Sequence, residues 1–387
     1  MAHPTRLTRE GVYYLFMLLF VIGGAVFREV NLLLVIAAIM IGPIVFSWRI
    51  VTATLSNLRA TRRVAPSVAA GMPLGVELLV ENRNRRLASW ALEIRDRVEM
   101  QNPFSASECR VSRVLIPSVP AGATARASYV IRPTRRGRIR LTASGISTRF
   151  PWGFVAGECA INLVHEVLVT PRLGRLTSQW SQLIGARESA GQQSERTRVT
   201  AQRRGFSEGD YYGLREWRPG DSRRWIHWRT SAKIGGMAVL QFEQRRNQDL
   251  ILIVDLWNPV TAEEQHKLAV EWTVSFAGTI VADICHRSAG NLTLAVVGQE
   301  TRSWDRAASP LLAREVLEYL AEVRPGTSVE SAKLDWDSIR GASSGTKVVV
   351  ASTRAPAVEL FAAAESSDVE WIEAGSLRFQ QLFSGES

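Results

Sequence analysis

Two apolar runs, Gly11–Phe27 and Val30–Trp48, open the chain and are parted only by Arg28 and Glu29. Each is near the lower length for a bilayer-spanning helix, about 17–25 residues. Inside lipid the backbone must satisfy its own polar groups, so both runs have to be helical, and so short a connection folds them into a hairpin. A signal peptide would show one apolar region and a small-residue cleavage site, not a second run at once. A buried hairpin of a soluble core is the competing structure; two adjacent runs this free of charge favour lipid. Tyr13, Tyr14 and Trp48 stand near the ends of the runs, where interfacial aromatic belts form. Arg6 and Arg9 precede the first run, and Arg49, Arg59, Arg62 and Arg63 follow the second. That asymmetry places both chain termini on the cytoplasmic side.

Beyond the hairpin the pattern turns to alternation. Val76–Asn84, Trp90–Asp96, Ala127–Arg132, Arg138–Thr142 and Glu166–Thr170 read as short strands separated by Gly, Pro and Asn. The expected domain over 64–172 is an antiparallel β-sandwich of immunoglobulin-like type. Residues 173–249 follow as a polar connector that ends in an unusual motif.

That motif, Gly213–Lys233, holds three tryptophans, one histidine and six basic residues against two carboxylates. Neither helix nor strand periodicity explains the mixture. Indoles favour burial with their N–H groups bonded, and arginines favour carboxylates or aromatic faces. Two readings stand for Arg215, Asp221, Arg224 and Trp228. They could form a buried ion-pair network, in which Asp221 and Trp228 have the most apolar neighbours, or a docking surface. Arg218 and Arg223 flank the Pro219-Gly220 turn and are expected to reach solvent. His227, close to Asp221, could act as a base, but no nucleophile accompanies it, and a structural, hydrogen-bonded histidine is the plainer reading.

From Arg215 to Lys233, through Trp217, Gly220, Asp221, Arg224, Ile226, Trp228, Ser231 and Ala232, the string resembles the signature of the family called domain of unknown function 58. Arg136-Gly137 and Pro151-Trp152-Gly153 extend that resemblance loosely into the β-rich middle. It implies a membrane-anchored protein with a von Willebrand factor A-like domain, partnered by a MoxR-type AAA+ ATPase.

The last part, 250–387, alternates strands with helices. Leu250–Asp255, Leu292–Val297, Lys347–Ala351 and Val369–Glu373 are short apolar runs, as parallel strands buried on both faces should be. Ala262–His286 carries Ala269, Trp272, Phe276, Ile280 and Ile284 on one helical stripe, and Ala307–Val323 and Ala355–Glu365 supply further helices. The alternation implies a doubly wound α/β sheet, in keeping with the von Willebrand A-like fold that the resemblance implies.

A domain of that kind often carries Asp-x-Ser-x-Ser after its first strand, where a carboxylate and hydroxyls hold a divalent cation. Here Asp255 is followed by Trp257 and Pro259 in place of the serines, and Ser352-Thr353-Arg354 after a later strand lacks an aspartate. Asp255 therefore reads as a vestigial metal position, expected to cap its loop or pair with an arginine, and no cofactor is expected. Phosphate-loop, dinucleotide, nucleophile-elbow and zinc-protease motifs are absent from the sequence. Three well-separated cysteines favour no disulfide framework.

The net charge of +10 could serve an anionic lipid surface or a nucleic acid. Arginine dominates the whole chain, however, and no nucleic-acid module accompanies it. The sequence points to a two-pass protein of a bacterial plasma membrane, without catalysis, acting as an interaction or assembly factor beside a MoxR-type ATPase. The alternatives are an anionic-lipid or nucleic-acid binder, and an enzyme built on Asp221 and His227.

Overall fold

The computed structural model describes residues 5–28, 31–184, 211–218, 223–242, 249–259, 263–287, 290–327, 347–355 and 369–385. The chain divides into two compact units, Met1–Arg172 and Leu173–Ser387.

The first unit joins the hairpin to the β-rich segment. Strand β1 (Thr5–Leu7) leads into helix α1 (Arg9–Arg28), and α2 (Asn31–Leu55) follows. Both helices are long and apolar enough to cross a membrane, and Tyr14 donates from one helix to the Met40 carbonyl of the other. Helix α2 outruns the expected Val30–Trp48 span. At about 1.5 Å per residue its length exceeds a hydrocarbon core of roughly 30 Å. Its last turns instead bury Val51 and Leu55 among the strands.

Those strands are β2 (Leu58–Val64), β3 (Ser67–Ala69), β4 (Leu74–Asn82), β5 (Ser89–Asn102), β6 (Ser105–Val119), β7 (Thr124–Ile131), β8 (Gly137–Thr148) and β9 (Val155–Thr170). They form two sheets, one ordered β2-β4-β7 and the other β1-β9-β8-β5-β6 with β3 beside β9. Leu78 and Val80 of the first sheet meet Leu92, Ile94 and Ile116 of the second in one core. Val76, Val98, Ile139, Leu141 and Val167 extend it toward the end away from α2.

One arginine departs from expectation. Arg62, read as a membrane-flanking charge, lies in this core with no exposed side-chain surface, paired with an equally buried Asp96. It crosses from β2 to the opposite sheet, donating also to the carbonyls of Leu141 and Leu163, while Tyr129 donates to the second Asp96 oxygen. Burial, then the hydrogen bond and charge of Asp96, hold the Tyr129 hydroxyl well above the usual phenol range. Buried charges persist only when paired and bonded in this way.

The second unit contains a short β10 (Arg175–Leu176), paired with β18 (Phe383–Ser384). Then come β11 (Tyr211–Glu216), helix α3 (Trp228–Ile234) and β12 (Ala238–Phe242), followed by a five-stranded sheet. That sheet comprises β13 (Leu250–Asp255), β14 (Asn291–Val297), β15 (Thr301–Ala307), β16 (Lys347–Ser352) and β17 (Val369–Glu373). Its order is β15-β14-β13-β16-β17, parallel except for β15, which runs antiparallel to β14. Helices α4 (Glu264–Arg287) and α5 (Pro310–Glu322) pack on each other, and α4 reaches β13 and β16. Helix α6 (Leu377–Leu382) precedes β18.

Helix α4 is also long and apolar enough to cross a membrane, but 61% of its apolar window is buried inside the protein. It is therefore a core helix of this unit. Its buried face runs through Val270, Val274, Phe276, Ile280, Val281 and Ile284, and Trp272, expected on that stripe, is 46% exposed. The expected helix over Ala355–Glu365 lies almost wholly outside the described residues.

Candidate functional site

Two places in the second unit carry the residues that the sequence singles out. The first is the carboxyl edge of the parallel sheet, where open α/β sheets hold their ligands. Strand β13 ends at Asp255, and its parallel register sets Asp255 beside Ser352, the last residue of β16. The Ser352 hydroxyl donates to Asp255 Oδ2 at 2.9 Å. Two residues on, Arg354 turns its guanidinium onto the same carboxylate, Nε to Oδ2 at 2.9 Å and Nη2 to Oδ1 at 3.3 Å.

The pair is withdrawn from water, with side-chain exposures of 13% for Arg354 and 7% for Asp255. Arg354 also lies 5.8 Å from the centroid of the Trp257 ring. Thr353 ties the two loops together, its Oγ1 accepting from Trp257 N and donating to Trp257 O. Trp371 donates from its indole to the Arg354 carbonyl. Both oxygens of the carboxylate are thus engaged by a fixed organic cation. Among the described residues no cluster of His, Cys, Asp and Glu could hold a metal ion.

The second place is the motif itself. Strands β11 and β12 form an antiparallel ribbon, Arg215 opposite Val239 and Glu216 opposite Ala238. Helix α3 lies between them in sequence. His227 caps that helix, its Nδ1 accepting from Thr230 N at 3.3 Å and meeting the Thr230 hydroxyl at 2.8 Å. Gly235 ends it in a left-handed conformation, φ 74°, which glycine adopts without strain. Ser231 closes the unit by accepting from Ala238 N and donating to the His227 carbonyl. These bonds account for His227 and Ser231 of the signature, and for Gly235 just after it, as local architecture.

Helix α3 buries none of its residues. Trp228 is 67% exposed, Ile234 69% and the nearby Met237 50%. Trp228 is therefore not a member of a buried network, contrary to the reading that grouped it with Asp221. Arg218, Arg223, Arg229 and Lys233 are exposed too, whereas Trp217 and Arg215 are half-buried. Arg215 donates to the Glu216 carbonyl. Gly220 and Asp221 lie outside the described residues, as does the side chain of Arg224.

The sequence led to the expectation that Asp255 pairs with an arginine but did not say which; the structure identifies Arg354. The signal was available: two parallel neighbouring strands end together, so the residues that follow them face each other.

With this geometry in hand, residues 213–351 match the model of a family described as "Protein of unknown function DUF58". The match spans both the ribbon and the sheet as far as β16. No curated protein matches the chain. Among solved structures, a β-glucosidase from Listeria innocua with gluconolactone aligns over 29% of this chain and 16% of its own, at 13% identity and a TM-score of 0.22. The CARDB domain of PF1109 from Pyrococcus furiosus aligns over 29% and 94%, at 12% identity and a TM-score of 0.20. The alkylpurine DNA glycosylase AlkC of Pseudomonas fluorescens, bound to abasic-site DNA, aligns over 33% and 38%, at 15% identity and a TM-score of 0.20. This chain spans about a sixth of the glucosidase, and at such scores none of these likenesses informs its fold or chemistry.

Proposed function

We propose that this chain is a membrane-anchored binding protein, an assembly or adaptor factor without catalysis of its own that acts with a MoxR-type AAA+ ATPase. In this reading the hairpin spans a bacterial plasma membrane with both chain termini in the cytoplasm. The observation that carries it is the exposure of α3 and its surroundings. Trp228, Ile234 and the nearby Met237 stand in solvent, and Arg218, Arg223, Arg229 and Lys233, close to them in sequence, are exposed as well. Exposed tryptophan and arginine together are the residue types that dominate binding energy at interfaces. Such a face fits an apolar pocket with an acidic border on the partner.

The order of the five-stranded sheet, in which β15 alone runs antiparallel, supports a von Willebrand A-like reading of the second unit. The Arg354 guanidinium on Asp255 supports partner binding that needs no divalent cation. An enzyme built on Asp221 and His227 finds less support, because the His227 Nδ1 already caps α3. The ATPase partner rests on the family resemblance of the signature. The test is co-purification of that ATPase with the full chain from solubilised membranes. The wild-type chain should retain it and the Arg218→Ala/Arg223→Ala double variant should lose it. Equal capture by both would refute the assignment of this face.

A further inference from the structure

The first unit carries a feature that its hairpin alone does not require. The segment Phe150–Phe154, between β8 and β9, is aromatic at alternate positions and leans along the hairpin rather than over the sheets. Phe154 stacks on Tyr14 of α1 with centroids 4.4 Å apart, and Trp152 meets Phe46 of α2 at 5.6 Å. Trp90 of β5 stacks on Phe150 at 5.8 Å from the other side. The backbone is fixed as firmly. Thr8 N donates to the Phe154 carbonyl, and the Thr8 hydroxyl bonds the Gly153 and Phe154 carbonyls. Gly11 packs so closely that an added methyl would collide with the Phe154 carbonyl oxygen.

Depth follows from the helices. At about 1.5 Å per residue, Tyr14 lies roughly 7 Å beyond Arg9, and Phe46 roughly 5 Å on the same side of Arg49. If those arginines stand among the headgroups, the rings of Tyr14 and Phe46 reach the base of an interfacial layer roughly 5–8 Å thick. Trp152, which touches Phe46, is then at the same level. It is 51% exposed, Arg149 is exposed three positions before it, and Arg6, Arg9 and Arg49 are exposed at the ends of the apolar runs that its loop touches. A half-exposed indole with basic neighbours is the side-chain set of an interfacial anchor.

We infer that Phe150–Phe154 is a third membrane contact, a loop of the sandwich whose Trp152 side chain sits at the boundary between headgroups and acyl chains. The partner is the lipid bilayer itself. This inference rests on the reading that the hairpin spans the membrane. It adds that the sandwich is seated on the bilayer by its own loop and is not merely tethered to it. The strand β1 and the end of α2, both built into the sheets, hold the loop in register with the helices.

The test places an environment-sensitive fluorescent amino acid, one position at a time, at Trp152, Ile39 and Val130 of the full chain in bilayers. The lipids carry a nitroxide at the headgroup, at the top of the acyl chain or at its end. Ile39 is exposed at the centre of the apolar run Val30–Trp48, and Val130 is exposed on β7 opposite Gly75, toward the core end away from α2. The probe at Trp152 should emit to the blue of the one at Val130 and be quenched most by the nitroxide at the top of the chain. The probe at Ile39 should be quenched most by the nitroxide at the chain end. If Ile39 behaves so and Trp152 is quenched no more than Val130, the loop inference is overturned and the hairpin stands. If Ile39 is not quenched by acyl-chain nitroxide, the spanning hairpin falls and the loop inference with it. A photoreactive lipid with its carbene source high in the acyl chain repeats the test on the unmodified chain. Adducts on the peptide containing Trp152 support the inference, and adducts confined to the two helices overturn it.

Discussion

Removing Arg354 should destabilise the sheet of the second unit by an amount that its surroundings fix. The guanidinium makes two bonds to Asp255, and the two side chains are only 13% and 7% exposed. Little solvent screening therefore applies. Arg354→Ala strands a buried carboxylate with one remaining side-chain donor, the Ser352 hydroxyl. Breaking a buried pair from one side costs about 3–5 kcal/mol. Amide exchange over β13 and β16 in the full chain reads that loss where it occurs, and at about 1.4 kcal/mol per decade the protected amides should exchange roughly two to four decades faster. The Asp255→Ala/Arg354→Ala double variant removes both charges together, so its cost should fall short of the summed single costs by about 0.5–3 kcal/mol. Millimolar Mg²⁺ should leave the wild-type exchange unchanged, whereas a cation at 100 times its dissociation constant would add about 2.7 kcal/mol. Additive single costs, or stabilisation of the wild type by Mg²⁺, would refute the account of Asp255 and Arg354 as a coupled buried pair.

Three further outcomes follow from the first unit and the hairpin. Asp96→Ala leaves Arg62 buried without its carboxylate and should cost about 3–5 kcal/mol in thermal unfolding. An Arg62→Met/Asp96→Leu double variant should recover much of that loss. Gly11→Ala should lower stability by about 1–3 kcal/mol through collision with the Phe154 carbonyl, while Gly23→Ala, which meets open space, should not. A reporter fused after Ser387 should be active only in the cytoplasm, and external labelling of a cysteine placed at Val130 in intact cells would contradict that orientation.

What the sequence made legible follows from how many faces each element buries. Strand β13 is buried at every position and reads as a continuous apolar run, so it could be placed from composition. Strand β15 buries only Trp304, so its sequence, Thr-Arg-Ser-Trp-Asp-Arg-Ala, carries no strand signal, and it escaped notice. Helix α2 was placed but cut short, because beyond Trp48 its burial is against the sandwich and not in lipid. Arg62 was misread for a related reason. Arginines after a spanning helix usually face headgroups, and only the pairing of distant strands brings Asp96 to this one. The signature was legible as an unusual site. Whether its tryptophan was buried was not, since the same residue types serve cores and interfaces alike.

The measurement that bears most directly on the proposed function is the affinity of the full chain for the proposed MoxR-type ATPase, before and after Trp228→Ala, beside the melting temperature of each. Trp228 is 67% exposed on a helix that buries nothing. Stability should therefore stay within about 0.5 kcal/mol. A central interface tryptophan contributes about 2 kcal/mol or more, so affinity should fall more than about tenfold. An unchanged affinity, or a fall matched by a lowered melting temperature, would contradict the assignment of this face to a partner.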